Sequence, residues 1–548
     1  MKKSRFDVWR WSVLLPALLL AVPVLVIFSS VFNPQPEVWR HLRQTVLADY
    51  VVNSLLLAGG TGLGAMTTGT LCAWLVSRYQ FAGRRVVEWL LLLPLAMPAY
   101  IIAYTYTGML DFAGPLQSAL RAQFDWRYGD YWFPQIRSLG GAIVMLSLVL
   151  YPYVYMLART AFREQPASLL EASRTLGLTP WQHLRKVALP LARPAILTGT
   201  ALAMMEAFAD YGTVQYFGVT TFTTGIFRTW FGMGNQVAAA QLAAMLSGFV
   251  LLLLLLEHWS RRRIRYYHQG QHSLGMPRVK LAASAQFAVL LLCLLPVLFG
   301  FVIPVAQLLS WSFSHYQQTL GPQFTELIWN SFSLAATAAL ITVLLALLFA
   351  YGKRLRPGSV VQAPVRLAAL GYAVPGTVIA IGVMIPLAYL DGRIDALAEQ
   401  WFGTRTGLIF SGTLFALLLA YSVRFLAISL HSIEAGLGRI KPSMDNAAQS
   451  LGLTPLQVLG KVHVPLLRSS VLAALLLVFV DVLKELPATL LLRPFNFNTL
   501  AVRTYELASD ERLADAALPA IAIVLVSLLP VILLARSVEP AVKDTKHA

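Results

Sequence analysis

Apolar residues gather into twelve long runs separated by shorter polar stretches. The runs lie near 11–32, 51–77, 86–110, 139–158, 194–218, 236–257, 284–311, 330–352, 367–390, 406–432, 469–493 and 516–535. Each is close to the roughly 20 residues a helix needs to cross the hydrocarbon of a bilayer. The pattern therefore predicts an all-α, polytopic membrane protein with about 12 transmembrane helices. The first run follows a basic stretch and reaches Phe32. It is too long for the apolar part of a signal peptide, and no A-x-A site follows it, so it is expected to stay as the first span.

Composition narrows the class. Of 548 residues 57% are apolar and 13% charged, and the charged share is about half that of a soluble chain. A soluble enzyme, a disordered chain and a disulfide-stapled secreted domain are excluded. Cys72 and Cys293 both sit in apolar runs and read as small core residues. The net charge of +17 is a topology signal. With the N-terminus inside, 30 of the 43 Lys and Arg fall in cytoplasmic segments and 10 in outside loops. That bias places both termini in the cytoplasm. A nucleic-acid partner would need the basic residues on one soluble face, and none exists.

A repeat organises the chain. Leu176–Pro180 reads LGLTP, and so does Leu451–Pro455, 275 residues later. Upstream the offset is 277: Asn53-Ser54 matches Asn330-Ser331, and Pro98 matches Pro375. Two homologous halves of six spans follow, 1–259 and 281–548, joined by a basic linker over 260–280. An even number of spans makes the repeat parallel. The linker carries Arg261, Arg262, Arg263 and Arg265 without an acid, so it is expected in the cytoplasm against lipid headgroups.

One loop in each half, between the fourth and fifth spans, has helical punctuation. The first runs from Glu171 through Ala172, Ser173 and Gly177 to Pro190. The second runs from Asn446 through Ala447, Ala448 and Gly452 to Pro465. Two short helices with a turn are predicted. Glu171 would suit an early helical turn, the alanines a flat surface, and the glycines a positive φ. Thr179 and Thr454 would cap the second helix, with proline at its first position and Gln182 or Gln457 closing a capping box. A single capped hairpin need not have a partner. The same hairpin in both halves points to a symmetric pair of partners.

These loops resemble the EAA loops of binding-protein-dependent ABC importer permeases. Glu171, Ala172, Gly177, Val187, Leu189 and Pro190 fit that pattern, whereas the second copy has Asn446 for the Glu and Val464 for the Leu. More narrowly, the chain is similar to the fused permeases of ferric-iron importers. Glu206–Val214, Thr223–Trp230, Asp481–Thr489 and Leu500–Ser509 carry that likeness. Fused thiamine permeases have a similar architecture. The resemblance implies a type I ABC importer fold in the bacterial inner membrane. It implies an extracytoplasmic binding protein and two ATP-binding subunits gripping the loops. ATP and Mg would sit on those subunits, and this chain would bind no cofactor itself. Consistently, the sequence holds no G-x-x-x-x-G-K-[ST] phosphate loop, and Gly59–Gly64 reads as a packing face inside a span.

Four acids inside apolar runs form a pattern. Glu206 and Asp210, and Asp481 and Glu485, stand at matched repeat positions, four residues apart. On continuous helices each pair would share one face, and Glu206 would lie about 18 Å from the loop end near Pro194. Intramembrane carboxylates are costly and usually line a cavity. They would suit a cation pathway, because Fe³⁺ prefers hard oxygen ligands. Pairing with Lys484, Arg228, Arg424, Arg493 or Arg503 is the alternative. Pro98 and Pro375 are expected to kink their spans. Arg228 and Arg503, in equivalent outside loops, suit either docking of a binding protein or local hydrogen bonds. No catalytic constellation and no zinc spacing occurs among the nine histidines. A secondary transporter driven by an ion gradient would also have parallel repeats and membrane acids, but it leaves the paired hairpins unexplained.

Overall fold

A computed structural model describes residues 8–127, 129–262 and 278–537. Of the linker's basic residues, Arg263 and Arg265 fall outside the described residues. Among the described residues nine helices are long and apolar enough to cross a membrane, and two further pairs pass only as bent spans. A shorter apolar helix covers Ala517–Leu533. Each of the twelve apolar runs thus has a helix, but not every run is one straight rod.

Two expected spans are broken where hydropathy shows continuity. Arg84–Ala96 and Ala99–Phe124 meet at 90°, with Pro98 at the N-cap of the second. The expected kink at Pro98 is thus a full break. Proline has no amide hydrogen to continue the ladder, and it pushes Met97 into extended backbone. In the second half Ser359–Ala369 likewise stops short of Pro375, which caps Gly376–Phe402. The fifth and eleventh spans also end earlier than expected. Their helices stop at Ala209 and Leu483, and short helices, Gly212–Tyr216 and Pro487–Leu492, follow.

Two compact units emerge, and they do not follow the repeat boundary. One comprises 1–45, 225–247 and 320–503; the other comprises 46–224, 248–319 and 504–548. The first helix, Val8–Ser29, therefore packs among helices of the second repeat. Gly382 lets the Pro23 carbonyl approach closely, where a Cβ would lie 2.4 Å from that oxygen. The first span of the second repeat, in turn, joins the unit built mainly from the first. Cys72 and Cys293 are buried free cysteines inside that unit.

Small residues set the helix spacing. In Leu47–Arg78 a Cβ at Gly60, Gly62 or Gly64 would strike Ile143, Met204 or Ser147, and Gly69 lies against the Tyr151 carbonyl. The glycine cluster is thus a packing face for the helices Leu139–Arg163 and Leu189–Ala209. The matched helix Pro322–Leu355 buries Ala339 and Ala346 where the first copy has Gly62 and Gly69. Asn53 and Asn330 donate to the carbonyls of Thr220 and Asn498, at 2.9 and 3.4 Å. Ser54 and Ser331 accept the amides of Phe222 and Leu500. The repeated Asn-Ser pair thus ties down the segment after each broken span.

Candidate functional site

Both hairpins form as their sequences dictate. The first has helix Ala167–Thr175, Gly177 at φ +72°, then Pro180–His183; the second has Pro442–Ser450, Gly452 at φ +85°, then Pro455–Val458. Each turn is a two-bond C-cap: Leu178 N donates to Ser173 O and Gly177 N to Arg174 O, and the second copy repeats both bonds. Gln182 Oε1 accepts from Thr179 N at 2.9 Å, and Thr179 Oγ1 accepts from Gln182 N at 3.3 Å. Thr454 and Gln457 close the same box at 2.9 and 3.4 Å.

Some details differ from expectation. Glu171 and Asn446 lie mid-helix, not in the first turn, so the helix dipole does not explain Glu171. Only Ala172 and Ala447 present an open small surface, because Ser173 and Ala448 turn inward and are buried. Pro190 and Pro465 stand at the start of the next helical segment, but no loop precedes them. A π-turn, Leu184–Ala188 or Leu459–His463, carries each short helix onward instead. In the first copy the result is one continuous span, Pro180–Ala209; in the second it bends by 80° at Leu467.

Sequence reasoning missed what faces outward and what pins each hairpin. Leu176 and Leu451 are 78% and 83% exposed, and Trp181 and Leu456 are 62% and 67% exposed, at matched repeat positions. The same two positions are thus apolar and exposed in both hairpins. Beneath them Ser173 Oγ meets the buried His183 Nδ1 at 2.8 Å, and Trp74 packs its ring against that histidine. The second hairpin is held by Asp445, which joins Arg354 at 2.7 Å and His463 at 2.8 Å. Tyr351, at the repeat position of Trp74, packs its ring at a tilt against His463 and donates to Pro455 O.

The membrane acids divide into two kinds. Asp210 follows the helix end, and its carboxylate accepts from Thr213 Oγ1 at 2.9 Å and Val214 N at 3.1 Å. Glu485 is buried, lies 3.4 Å from Arg424, and accepts from Ala488 N at 3.2 Å. Both thus cap the short helix that follows. Glu206 and Asp481 lie in the last turns of their long helices and are half-buried. Asp481 pairs with Lys484 at 3.1 Å. The four acids therefore do not sit as two same-face pairs: the helix ends between the members of each. Two further acids in apolar runs escaped the pattern. Glu88 is buried between Arg84 and Arg159, and Glu257 accepts from Thr198 Oγ1 at 2.6 Å. Among the described residues no three His, Cys, Asp or Glu side chains gather to hold a metal ion.

Two repeats of apolar helices, each with a capped and apolar-tipped hairpin, define the membrane-spanning part of a transporter. The chain belongs to the family of binding-protein-dependent transport system inner membrane components, whose pattern it carries twice, over 65–266 and 342–544. Membership sets aside the self-sufficient, gradient-driven reading. The Fe(3+)-transport system permease protein FbpB 2 of Haemophilus influenzae is 28% identical over 96% of this chain and 97% of its own. The ferric transport system permease protein FbpB of Actinobacillus pleuropneumoniae is 25% identical over 88% and 70%. The molybdenum transport system permease protein ModB of Escherichia coli is 27% identical, over 40% of this chain and 93% of its own. Among solved structures, a bacterial ABC transporter involved in alginate import aligns over 47% of this chain at 18% identity, with a TM-score of 0.36.

Proposed function

We propose that this chain is the permease of an ATP-driven importer that carries ferric iron across the bacterial cytoplasmic membrane. The observation that carries the substrate class is the near full-length likeness to a permease named for Fe(3+) transport. The excess of Lys and Arg in alternate loops supports a topology in which both termini and both hairpins face the cytoplasm. Two ATP-binding subunits would grip Glu171, Ala172, Gly177 and Pro190 on one hairpin and Asn446, Ala447, Gly452 and Pro465 on the other. Ser173 and Ala448 would support those surfaces from below. The exposed Leu176, Trp181, Leu451 and Leu456 give each dock an apolar anchor. ATP and Mg stay on those subunits, and an extracytoplasmic binding protein delivers the cargo. Glu206 and Asp481 would meet the moving ion; Asp210 and Glu485 would hold the helix breaks beside them.

Uptake of labelled ferric iron by the complete reconstituted assembly tests this, with thiamine as competitor. Iron accumulation that requires ATP and the binding protein, and that thiamine leaves unchanged, is expected. Thiamine-sensitive uptake, or none, overturns the substrate.

The two docks differ chemically at one matched position. Glu171 offers a charge that Asn446 lacks, and both are exposed. Glu171→Ala should therefore lower ATP-driven uptake more than Asn446→Ala, by roughly tenfold if a charge-assisted contact of about 1.5–3 kcal/mol is lost. Equal rates at equal expression would show that the charge carries no coupling.

A further inference from the structure

One corner of the second unit gathers more positive charge than the fold requires. Arg84 opens a helix after the turn at Phe81–Gly83, and Arg159 and Arg163 end the helix Leu139–Arg163. A short parallel pairing, Tyr79 with Val279 and Gln80 with Lys280, brings Arg278 to the same place. Arg84 and Arg159 are buried, and both bind the buried Glu88, Arg159 at 2.7 Å. Arg163 is half-buried and Arg278 exposed. Glu88 is the one carboxylate among the charged groups acting most strongly on Arg84 and Arg163, while the other arginines repel them. Glu88 thus pairs with two of these four arginines, Arg84 and Arg159. The Nε–H groups of Arg84 and Arg159 are buried without a hydrogen-bond partner.

Buried charge left uncompensated is costly, and the second repeat shows that this corner can be closed without it. There Val361 and Val365 stand at the positions of Arg84 and Glu88, and both are buried. Glu434 and Gly438 replace Arg159 and Arg163. Glu434 pairs with Lys353 there, so the excess of positive charge is an addition to the first copy. Arginine is the side chain that matches phosphate oxygens in two-point geometry. The cluster lies at span ends, the level of lipid headgroups. Exposed apolar side chains, Val86 and Phe287, stand beside it for an acyl chain, with Ala82 N bonded to Gln286 Oε1 at 3.3 Å.

We propose that Arg84, Arg159, Arg163 and Arg278 form a binding site for the phosphate of an anionic phospholipid. Arg163 and Arg278 make the mouth, and the buried pair over Glu88 supplies the field beneath it. The site lies in the cytoplasmic leaflet under the orientation proposed above. Lipid retention itself does not depend on transport, so the two readings fail separately.

The test uses the purified full chain in detergent and native mass spectrometry. Phosphatidylglycerol should remain bound where phosphatidylcholine does not. Arg163→Gln with Arg278→Gln, both outside the packed core, should keep the melting temperature without lipid. That variant should weaken phosphatidylglycerol binding roughly thirtyfold, about fivefold for each arginine near the headgroup. Arg84→Val, Glu88→Val and Arg159→Leu together, the first two copied from the second repeat and the third removing the cation left without its carboxylate, should fold and lose the lipid as well. Equal retention of the two lipids, or unchanged retention in the double variant, overturns the proposal. Displacement of the lipid by millimolar inorganic phosphate would make this a site for a free anion instead.

Discussion

Valine in place of Gly177 or Gly452 should strip the ATP-binding subunits from the permease and abolish most ATP-driven uptake. Both glycines hold left-handed backbone, at φ +72° and +85°, and a Cβ at either would meet nothing within 4 Å. Space is therefore not the obstacle, and the substitution tests backbone conformation alone. A side chain in that region costs about 1–2 kcal/mol, and more when β-branched. The hairpin can relieve that strain by giving up the two amide bonds that close its turn. The exposed leucine beside each glycine, Leu176 or Leu451, would then leave its place. Since about 1.4 kcal/mol is a factor of ten in binding, tenfold or greater loss of co-purification is expected from either valine. Asparagine tolerates the left-handed region, so Gly177→Asn and Gly452→Asn should stay near wild type. Valine variants that co-purify and transport normally would remove these hairpins from the coupling machinery.

Those hairpins were legible in the sequence because helix capping is local chemistry. Threonine, proline and glutamine within four residues state a helix start wherever they occur, and both boxes closed. The small-residue face at Gly59–Gly64 was legible for the same reason. Where helices stop inside an apolar run was not. Hydropathy averages over about 19 residues, so it cannot see that Asp210 and Glu485 turn their carboxylates onto the next helix. Pro98 and Pro375 were visible, yet a kink and a break share the same proline. The pinning histidines, His183 and His463, occupy different repeat positions and so left no repeat signal. Arg84 and Arg159 were absorbed into the topology bias, which counts charges without pairing them. Glu88, at the edge of its run, belonged to no repeated pattern.

Two acids on either side of the helix end at Leu483 should respond to neutralisation in opposite ways. Asp481 is half-buried, and its partner Lys484 lies three residues on along the same chain. A partly exposed ion pair of that kind is worth about 0–1 kcal/mol. Asp481→Asn should therefore leave expression and thermal stability near wild type. If the carboxylate meets the moving cation, iron uptake falls while basal ATP hydrolysis by the assembled complex persists, because the hairpins are untouched. Its repeat partner Glu206→Gln should behave alike. Glu485 is placed differently. It is 6% exposed, faces Arg424 from another helix, and holds the amide that starts the next one. Gly376 leaves room for that pair: a Cβ there would lie 2.4 Å from the Glu485 carboxylate. Glu485→Gln breaks the ion pair with a largely buried guanidinium, and breaking a buried pair costs about 3–5 kcal/mol, so loss of expression and of a cooperative melt should accompany loss of uptake. Arg424→Met should fail in the same way, since either change breaks the same pair. Stability and uptake measured on the same preparations separate the two roles. Normal uptake in Asp481→Asn and Glu206→Gln would remove both acids from the ion's route, and a stable Glu485→Gln would show that the buried pair does not hold the break.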